Sequence, residues 1–204
     1  MLRAVSAILA GLLLGGPASA NPYKGRIVSG LDTELAYDKI LHTDDGNVMV
    51  PLTISFEQSA SPEERGSFSP EIIKENIGIS HRELREFFDE KGYKLQPCQN
   101  YYTLHIFVLS NKTMFESGLF DFWKKQNNAT IVYAFYDATI EVRAEDNIIF
   151  SHMSHAMDFE SMQHELAHYW YNKYCLSDLY PDSEIFARTI EDRSRGYYHE
   201  YFSN

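Results

Sequence analysis

The stretch QHELAHYW, residues 163–170, decides how this chain is interpreted. Residues four apart on an α-helix project from one face, so His164 and His168 can direct ring nitrogens at a single metal ion. Glu165 flanks that face, where a carboxylate can hold a water beside the metal without acting as a ligand. The opposite side carries an apolar stripe: Met162, Leu166 and Tyr169. We therefore expect a helix with one packing face and one chemical face.

A third ligand is expected from the stretch YPDSEIFAR, residues 180–188. The proline and Asp182 mark a helix start, with the aspartate as N-cap, so Glu184 lies in the first turn of a second helix. Ala187 leaves room for that helix to pack closely on the first. Glu191 lies two turns further along the same face. The sequence leaves Glu191 open as an alternative ligand or as a partner that orients a histidine.

Two imidazoles and one carboxylate form a typical zinc donor set, and one zinc ion per chain is the predicted cofactor. Zinc held by three protein ligands keeps a fourth position for water, which it acidifies towards neutrality. Glu165 is then placed to accept the proton and pass it to a leaving amine. His152 and His155 lie outside the helical spacing and are interpreted as surface or hydrogen-bonded histidines, with a place in the cleft or as alternative ligands as the other interpretation.

The motifs HELAH (164–168) and EIFA (184–187) together resemble the gluzincin group of zinc metallopeptidases. The glycine and third histidine of the metzincin group do not follow the first motif. The resemblance implies two histidines and one glutamate as ligands, Glu165 as general base, and hydrolysis of peptide bonds. Many gluzincins also carry an aspartate four residues after the ligand glutamate, as a partner of the first histidine. This chain has Arg188 there, with Glu191 or Asp192 as possible substitutes.

The resemblance also implies a fold. It is α+β and zincin-like, a small mixed sheet with an edge hairpin packed on the HExxH helix and on a second helix that bears the glutamate. Strand patterns at 101–109, 131–136 and 139–143 and a helical pattern at 111–126 fit that order. In gluzincins the edge strand before the zinc helix adds the substrate as one more strand. An exposed edge with no such role is the alternative.

Peptide hydrolysis of this type needs a donor for the developing oxyanion, usually a tyrosine or histidine downstream of the ligand glutamate. The second helix is predicted to end near Arg195, before Gly196. The candidate donors are three residues of the tail and one of the second helix: Tyr197, Tyr198, His199 and Arg188. Residue order and type do not choose among these four, and aromatic packing of the tail is the alternative for the tyrosines.

The first twenty residues have the pattern of a secretory signal peptide. Arg3 precedes a short apolar run, and Ala18-Ser19-Ala20 is a cleavage site. The run is shorter than the roughly 20 residues that a membrane helix needs. Cleavage before Asn21 predicts an exported protein, periplasmic or secreted, with no membrane span after signal removal.

Charge limits the range of partners. The chain carries 18 basic and 29 acidic residues, a formal charge of −11, and removal of the one signal cation, Arg3, makes it −12. Such acidity argues against nucleic acid as a partner. For the peptide or protein substrate that the resemblance implies, the acidity favours a basic or neutral one, and solubility alone is the alternative reason for the charge.

The rest of the chain predicts two parts. Residues 21–68 are interpreted as an N-terminal extension, partly β, and residues 69–204 as the gluzincin-like catalytic domain. In the extension, alternation from Val48 to Phe56 predicts a strand, which Pro51 favours placing at a sheet edge. In the second part, a capping box at residues 80–83 predicts a helix to about Lys91, ended by Gly92.

Two cysteines, Cys98 and Cys175, lie far apart in the sequence. In an oxidising compartment an isolated pair is expected to form a disulfide, and neither residue has metal-ligand spacing. The bridge would tie the end of the zinc helix to the segment before the first central strand.

These patterns predict an exported, single-domain zinc metallopeptidase. The alternative is a catalytically inert zinc-binding module of the envelope or of a secretion apparatus. A secreted toxin with one narrow target would have the same fold and chemistry. Glu165 favours the enzyme, because a structural zinc site has no use for a proton acceptor beside the metal.

Overall fold

The computed structural model describes the chain in segments: 31–43, 48–58, 69–98, 103–110, 112–116, 121, 134–137, 146–152 and 159–202. The predicted signal peptide, the predicted strand at 139–143 and His155 lie outside these residues. Of the predicted helix at 111–126, the described part is mainly a π-helical turn, Lys112–Glu116.

Five strands form one mixed sheet in the order β1-β2-β3-β5-β4. The strands β2, β3 and β5 run parallel, while β1 and β4 pair antiparallel at the two edges. The predicted central position of the strand near residues 101–109 is confirmed, because β3 is paired on both sides. The strand bounds are β1 (Thr33–His42), β2 (Met49–Glu57), β3 (Thr103–Leu109), β4 (Ala134–Asp137) and β5 (Asp146–His152).

One face of the sheet carries the core. Ile54, Ile106 and Ile149 lie in register on neighbouring strands and are all buried. They join a single apolar cluster with residues of three helices: α1 (Pro70–Glu90), α2 (Phe159–Lys173) and α3 (Ser183–Phe202). The architecture is therefore α+β. Among the described residues, no helix combines the length and the apolar character that crossing a bilayer requires.

The edge position predicted for the strand with Pro51 is wrong. β2 lies inside the sheet, between β1 and β3. Pro51 faces Ile40 of β1, and the parallel register with β3 begins only at Leu52, so the missing proline N–H interrupts no bond to β3. The edge on this side of the sheet is β1, whose pairing with β2 has a register shift between Leu35 and Tyr37. Strands from both sides of residue 68 join this one sheet, and the division into extension and catalytic domain stays a prediction.

The start predicted for α1 is also wrong. The helix begins at Pro70, after Ser69 in the extended N-cap conformation, and not at Ser80. Proline fits the first helical position because its missing N–H has no intrahelical partner there. Ser80 is buried in the helix interior, where its hydroxyl accepts a hydrogen bond from the Trp170 indole at 3.1 Å. The predicted end is confirmed, since Gly92 follows the helix with φ +74°.

α3 extends further than predicted. It continues through Gly196 to Phe202 and does not end near Arg195. A glycine within an exposed helical turn costs only about 1 kcal/mol relative to alanine, so it does not by itself stop a helix. The three predicted tail candidates are therefore helical residues.

Candidate metal centre

α2 separates a packing face from a polar face as the sequence predicts. Met162, Leu166 and Tyr169 are fully buried against the core. His164 and His168 project from another face, with ring centroids 5.0 Å apart. Their spacing of one helical turn brings both imidazoles to the same side of the helix.

The first turn of α3 faces these histidines because its N-terminus is fixed. Asp182 is the N-cap, and its Oδ1 accepts hydrogen bonds from the backbone N–H groups of Glu184 and Ile185, each at 3.0 Å. Phe186 and Ala187 are fully buried. The alanine lets the two helices approach closely, so the Glu184 carboxylate reaches the polar face of α2.

The structure brings His164, His168 and Glu184 together into one group that could hold a metal ion, with ligand atoms all within 4.8 Å of one another. Oε2 of Glu184 lies 3.4 Å from Nε2 of His164, and Oε1 lies 3.3 Å from Nε2 of His168. The carboxylate thus spans both imidazoles, with one oxygen facing each ring.

The three side chains of the group differ in their exposure to solvent. The Glu184 side chain is 61% exposed, whereas those of His164 and His168 are 22% and 11% exposed. Hydrogen bonds with the two histidines hold the pKa of Glu184 well below its usual range. Burial opposes the charged form of His164, but hydrogen bonds with glutamates and the charge of Glu165 outweigh it and raise the pKa of His164 to about 9.

Glu191 takes the role of orienting partner. Its Oε2 lies 3.0 Å from Nδ1 of His164, the ring nitrogen that does not face Glu184. Its other oxygen accepts a hydrogen bond from the Arg195 guanidinium at 3.1 Å. The sequence left Glu191 open between ligand and orienting residue, and the structure places it behind the imidazole. A carboxylate there fixes the ring and directs Nε2 at the cluster.

The remaining predicted site residues differ in their position relative to the cluster. Glu165 is buried beside His164, close enough for its charge to act on that ring. Arg188 is exposed one turn after Glu184. The three tail candidates begin at Tyr197, thirteen residues after Glu184 in α3. Thirteen residues of helix span about 20 Å at 1.5 Å per residue, so these candidates lie far along α3 from the cluster. Which residue would donate to an oxyanion stays a prediction.

The predicted disulfide is confirmed and anchors the end of α2. Cys98 and Cys175 are bridged, with Cα atoms 6.0 Å apart. The Cys98 N–H also donates to the carbonyl of Lys173 at 3.1 Å. The C-terminus of α2 is therefore fixed to the segment before β3 by one covalent bond and one backbone hydrogen bond.

No protein-family model, curated protein or solved structure matches this chain. What the site can do follows from its own geometry. It combines three metal-ligating groups, a buried carboxylate beside them and an ion pair behind the first histidine.

The sequence interpretation missed two residues that shape the site. Arg195 was used only as a helix end, yet it binds Glu191. Tyr171 donates its hydroxyl to the backbone oxygen of Tyr180 at 2.6 Å, which fixes the connection to α3. The helical spacing could have indicated both residues. Arg195 is four residues after Glu191, and Tyr171 is seven residues after His164, so each lies on the same helix face as its neighbour.

Proposed function

We propose that this protein is an exported zinc metallopeptidase of gluzincin type. The observation that carries the proposal is the open cluster of His164, His168 and Glu184 with the Glu165 carboxylate beside it. No other described group of histidines, cysteines and carboxylates has ligand atoms gathered in this way.

The donor set and its spacing support zinc. Two imidazoles and a carboxylate without thiolates are typical of catalytic zinc sites. Two ligand atoms about 2.0–2.1 Å from one tetrahedral ion lie roughly 3.4 Å apart. The two contacts between Glu184 and the histidines, 3.4 and 3.3 Å, are close to that separation; they involve different carboxylate oxygens, and all ligand atoms of the group lie within 4.8 Å of one another.

The chain's own residues would divide the work of peptide hydrolysis. Zinc, when bound, supplies an acidified water and polarises the substrate carbonyl. Glu165 would accept a proton at its carboxylate and deliver it to the leaving amine. Glu191 and Arg195 would hold His164 in place throughout. Arg188, exposed near Glu184, is the candidate donor nearest the cluster along α3.

Two features favour an enzyme over an inert zinc-binding module. Structural zinc sites are usually closed by four protein ligands, whereas catalytic sites keep a position open. The cluster has three ligands, and its carboxylate is 61% exposed. A structural site also has no use for a proton acceptor beside the metal, and Glu165 is buried next to His164.

A peptide is the substrate best suited to this setting. β4 is an edge strand that pairs only with β5 among the described strands and packs against α2. Its free edge would allow an extended peptide to pair through backbone hydrogen bonds. The acidic chain makes nucleic acid a poor partner. The disulfide is compatible with export to an oxidising compartment.

The decisive experiment is Glu165→Gln. This variant keeps the shape of the side chain but removes the proton acceptor. We expect unchanged zinc content and an unchanged melting curve, with digestion of a broad peptide library reduced by about two orders of magnitude or more. Wild-type protein with a full complement of zinc and no hydrolysis across the library would favour the inert module.

A further inference from the structure

Large apolar side chains lie exposed in the segment that leads into the first turn of α3, which carries Glu184. Leu179 is 50% exposed and Ile185 is 63% exposed. Between them in sequence are Tyr180, which is half-buried, and Pro181, which is exposed. We call Leu179, Tyr180, Pro181 and Ile185 the apolar rim. Grouped apolar side chains at the margin of a polar site are typical of ligand-binding surfaces.

The apolar rim is fixed relative to the cluster at both ends. Tyr171, which shares the α2 face of His164, holds the backbone oxygen of Tyr180 at 2.6 Å. Ile185 directly follows Glu184 in the first turn of α3, and its N–H is bound by Asp182. At one end of the rim, Ile185 directly follows Glu184. Near the other end, the backbone of Tyr180 is bound to Tyr171 of α2.

The rim also rests on a rigid base. The Tyr180 ring packs on Phe87, Phe88 and Phe186, with centroid distances of 5.9, 5.8 and 5.3 Å. Aromatic contacts of this kind fix a ring's position as well as burying area. The exposed side chains are thus presented on a preformed surface, and a ligand that covers them does not have to order a loop.

The charge around the rim is negative. Asp178 precedes the rim in sequence and Asp182 lies within it, and both are exposed. Burial is the main cause that raises the pKa of the Tyr171 hydroxyl, and the charges of Asp182 and Asp178 are the next two causes. Both carboxylates therefore act on the residue that anchors the rim. In the described part of the chain, neither forms an ion pair with a basic side chain. Asp182 also caps α3 through Oδ1, but no described basic side chain neutralises either carboxylate.

We infer that the apolar rim selects peptide substrates in which a bulky apolar residue lies next to a lysine or arginine. The apolar side chain would cover Leu179 and Ile185, and the cation would lie towards Asp178 and Asp182. This inference rests on the proposed peptidase function, since it names the substrate class of the same site. Burial of aliphatic surface gives affinity, and the carboxylates select the sign of the neighbouring charge.

The test uses zinc-loaded Glu165→Gln protein, which binds peptides without cleaving them. Three fluorescent peptides share one sequence except at two central positions, which are Leu-Arg, Ser-Arg or Leu-Glu. We expect each of the two altered peptides to bind about tenfold or more weakly than the Leu-Arg peptide by fluorescence anisotropy. Added Ile185→Ser should abolish the preference for leucine over serine, and added Asp178→Asn should reduce the preference for arginine and its dependence on salt.

Ile72→Ser is the matched control, because Ile72 is also an exposed isoleucine but lies on α1. It should leave all three affinities unchanged. Leu179→Ser, with circular dichroism as a folding check, replaces Ile185→Ser if that variant does not fold. Equal affinity for the three peptides, with wild-type cleavage indifferent to the two positions, overturns the inference and leaves the peptidase standing. A retained preference without cleavage by the wild type overturns the peptidase and leaves the rim as a peptide-binding surface.

Discussion

Nδ1 of His164 lies 3.0 Å from Oε2 of Glu191, while Nε2 of the same ring faces Glu184. The two carboxylates thus hold opposite nitrogens of one imidazole, although they are carried by one helix. Glu184 lies in the first turn of α3 and Glu191 two turns later. α3 therefore runs past the ring, with Glu184 on the Nε2 side and Glu191 on the Nδ1 side. This pairing places the predicted ligand, Glu184, and the alternative, Glu191, on opposite sides of one ring.

Replacing Glu191 with glutamine should weaken zinc binding by roughly ten- to a hundredfold, because the ring would lose its charged orienting partner. Competition against a chromophoric chelator measures the dissociation constant. Asp192→Asn is the matched control, since it removes an exposed carboxylate next in sequence. Equal loss in both variants would show that general charge, and not orientation, matters.

The mature protein should bind one zinc ion per chain. His164→Ala and His168→Ala should lose most of it, and Glu184→Gln should weaken its retention strongly. Histidine ligands bind metal in the neutral form, so retention should also fall as the pH drops through the histidine range. Elemental analysis after dialysis measures the stoichiometry, with His42→Ala, an exposed histidine on β1, as control. Protein that neither carries stoichiometric metal nor binds added zinc would refute the site.

Lys173 should make stability depend on alkaline pH. Its side chain is 1% exposed, its Nζ has no hydrogen-bond partner in the described structure, and burial lowers its pKa to about 8. The unfolded pKa is about 10.4, so the unfolded state binds more protons between those values and stability rises with pH across that window. Below pH 8 the burial of the charged Lys173 amine lowers the free energy of unfolding by its full amount, on the order of 3 kcal/mol.

Lys173→Met should therefore stabilise the protein near neutral pH and remove the rise between about pH 8 and 10.4, as measured by urea unfolding at several pH values. Lys94→Met replaces an exposed lysine and should change neither the stability near neutral pH nor its rise between about pH 8 and 10.4. If Lys173→Met lowers stability at pH 7, the amine must be held by favourable contacts.

Loss of the disulfide should lower the melting temperature substantially. The bridge joins residues 77 apart in sequence. In the chain-entropy model a loop of that length constrains the unfolded state by about 4–5 kcal/mol. For a chain of this size that corresponds to a decrease of roughly 10–20 °C in the double variant Cys98→Ser, Cys175→Ser. Wild-type protein under reducing conditions should melt with the variant, and a variant that melts with the oxidised wild type would contradict the prediction.

Local patterns were sufficient where the determining interactions are local. The histidine spacing and the buried stripe of α2 follow from helical geometry alone. Asp182 as N-cap and Gly92 as helix terminator are likewise effects of neighbouring residues. The pairing of Cys98 with Cys175 needed only the count of cysteines and an oxidising compartment.

The same local reasoning failed where a distant partner decides. Ser80 and Glu83 match a capping box, yet Ser80 is bound by Trp170 from another helix. Pro51 fits an edge strand by its chemistry, but the offset between the two registers of β2 accommodates it inside the sheet.

The sequence by itself determined which side chains could ligate a metal, because ligand type and helical spacing are properties of single segments. Only the tertiary structure decided that Glu184 faces both imidazoles while Glu191 stands behind one of them. That choice depends on how α3 lies across α2, which is set by the burial of Phe186 and Ala187 between the helices. Packing between segments distant in sequence fixes such an angle, and no local pattern encodes it.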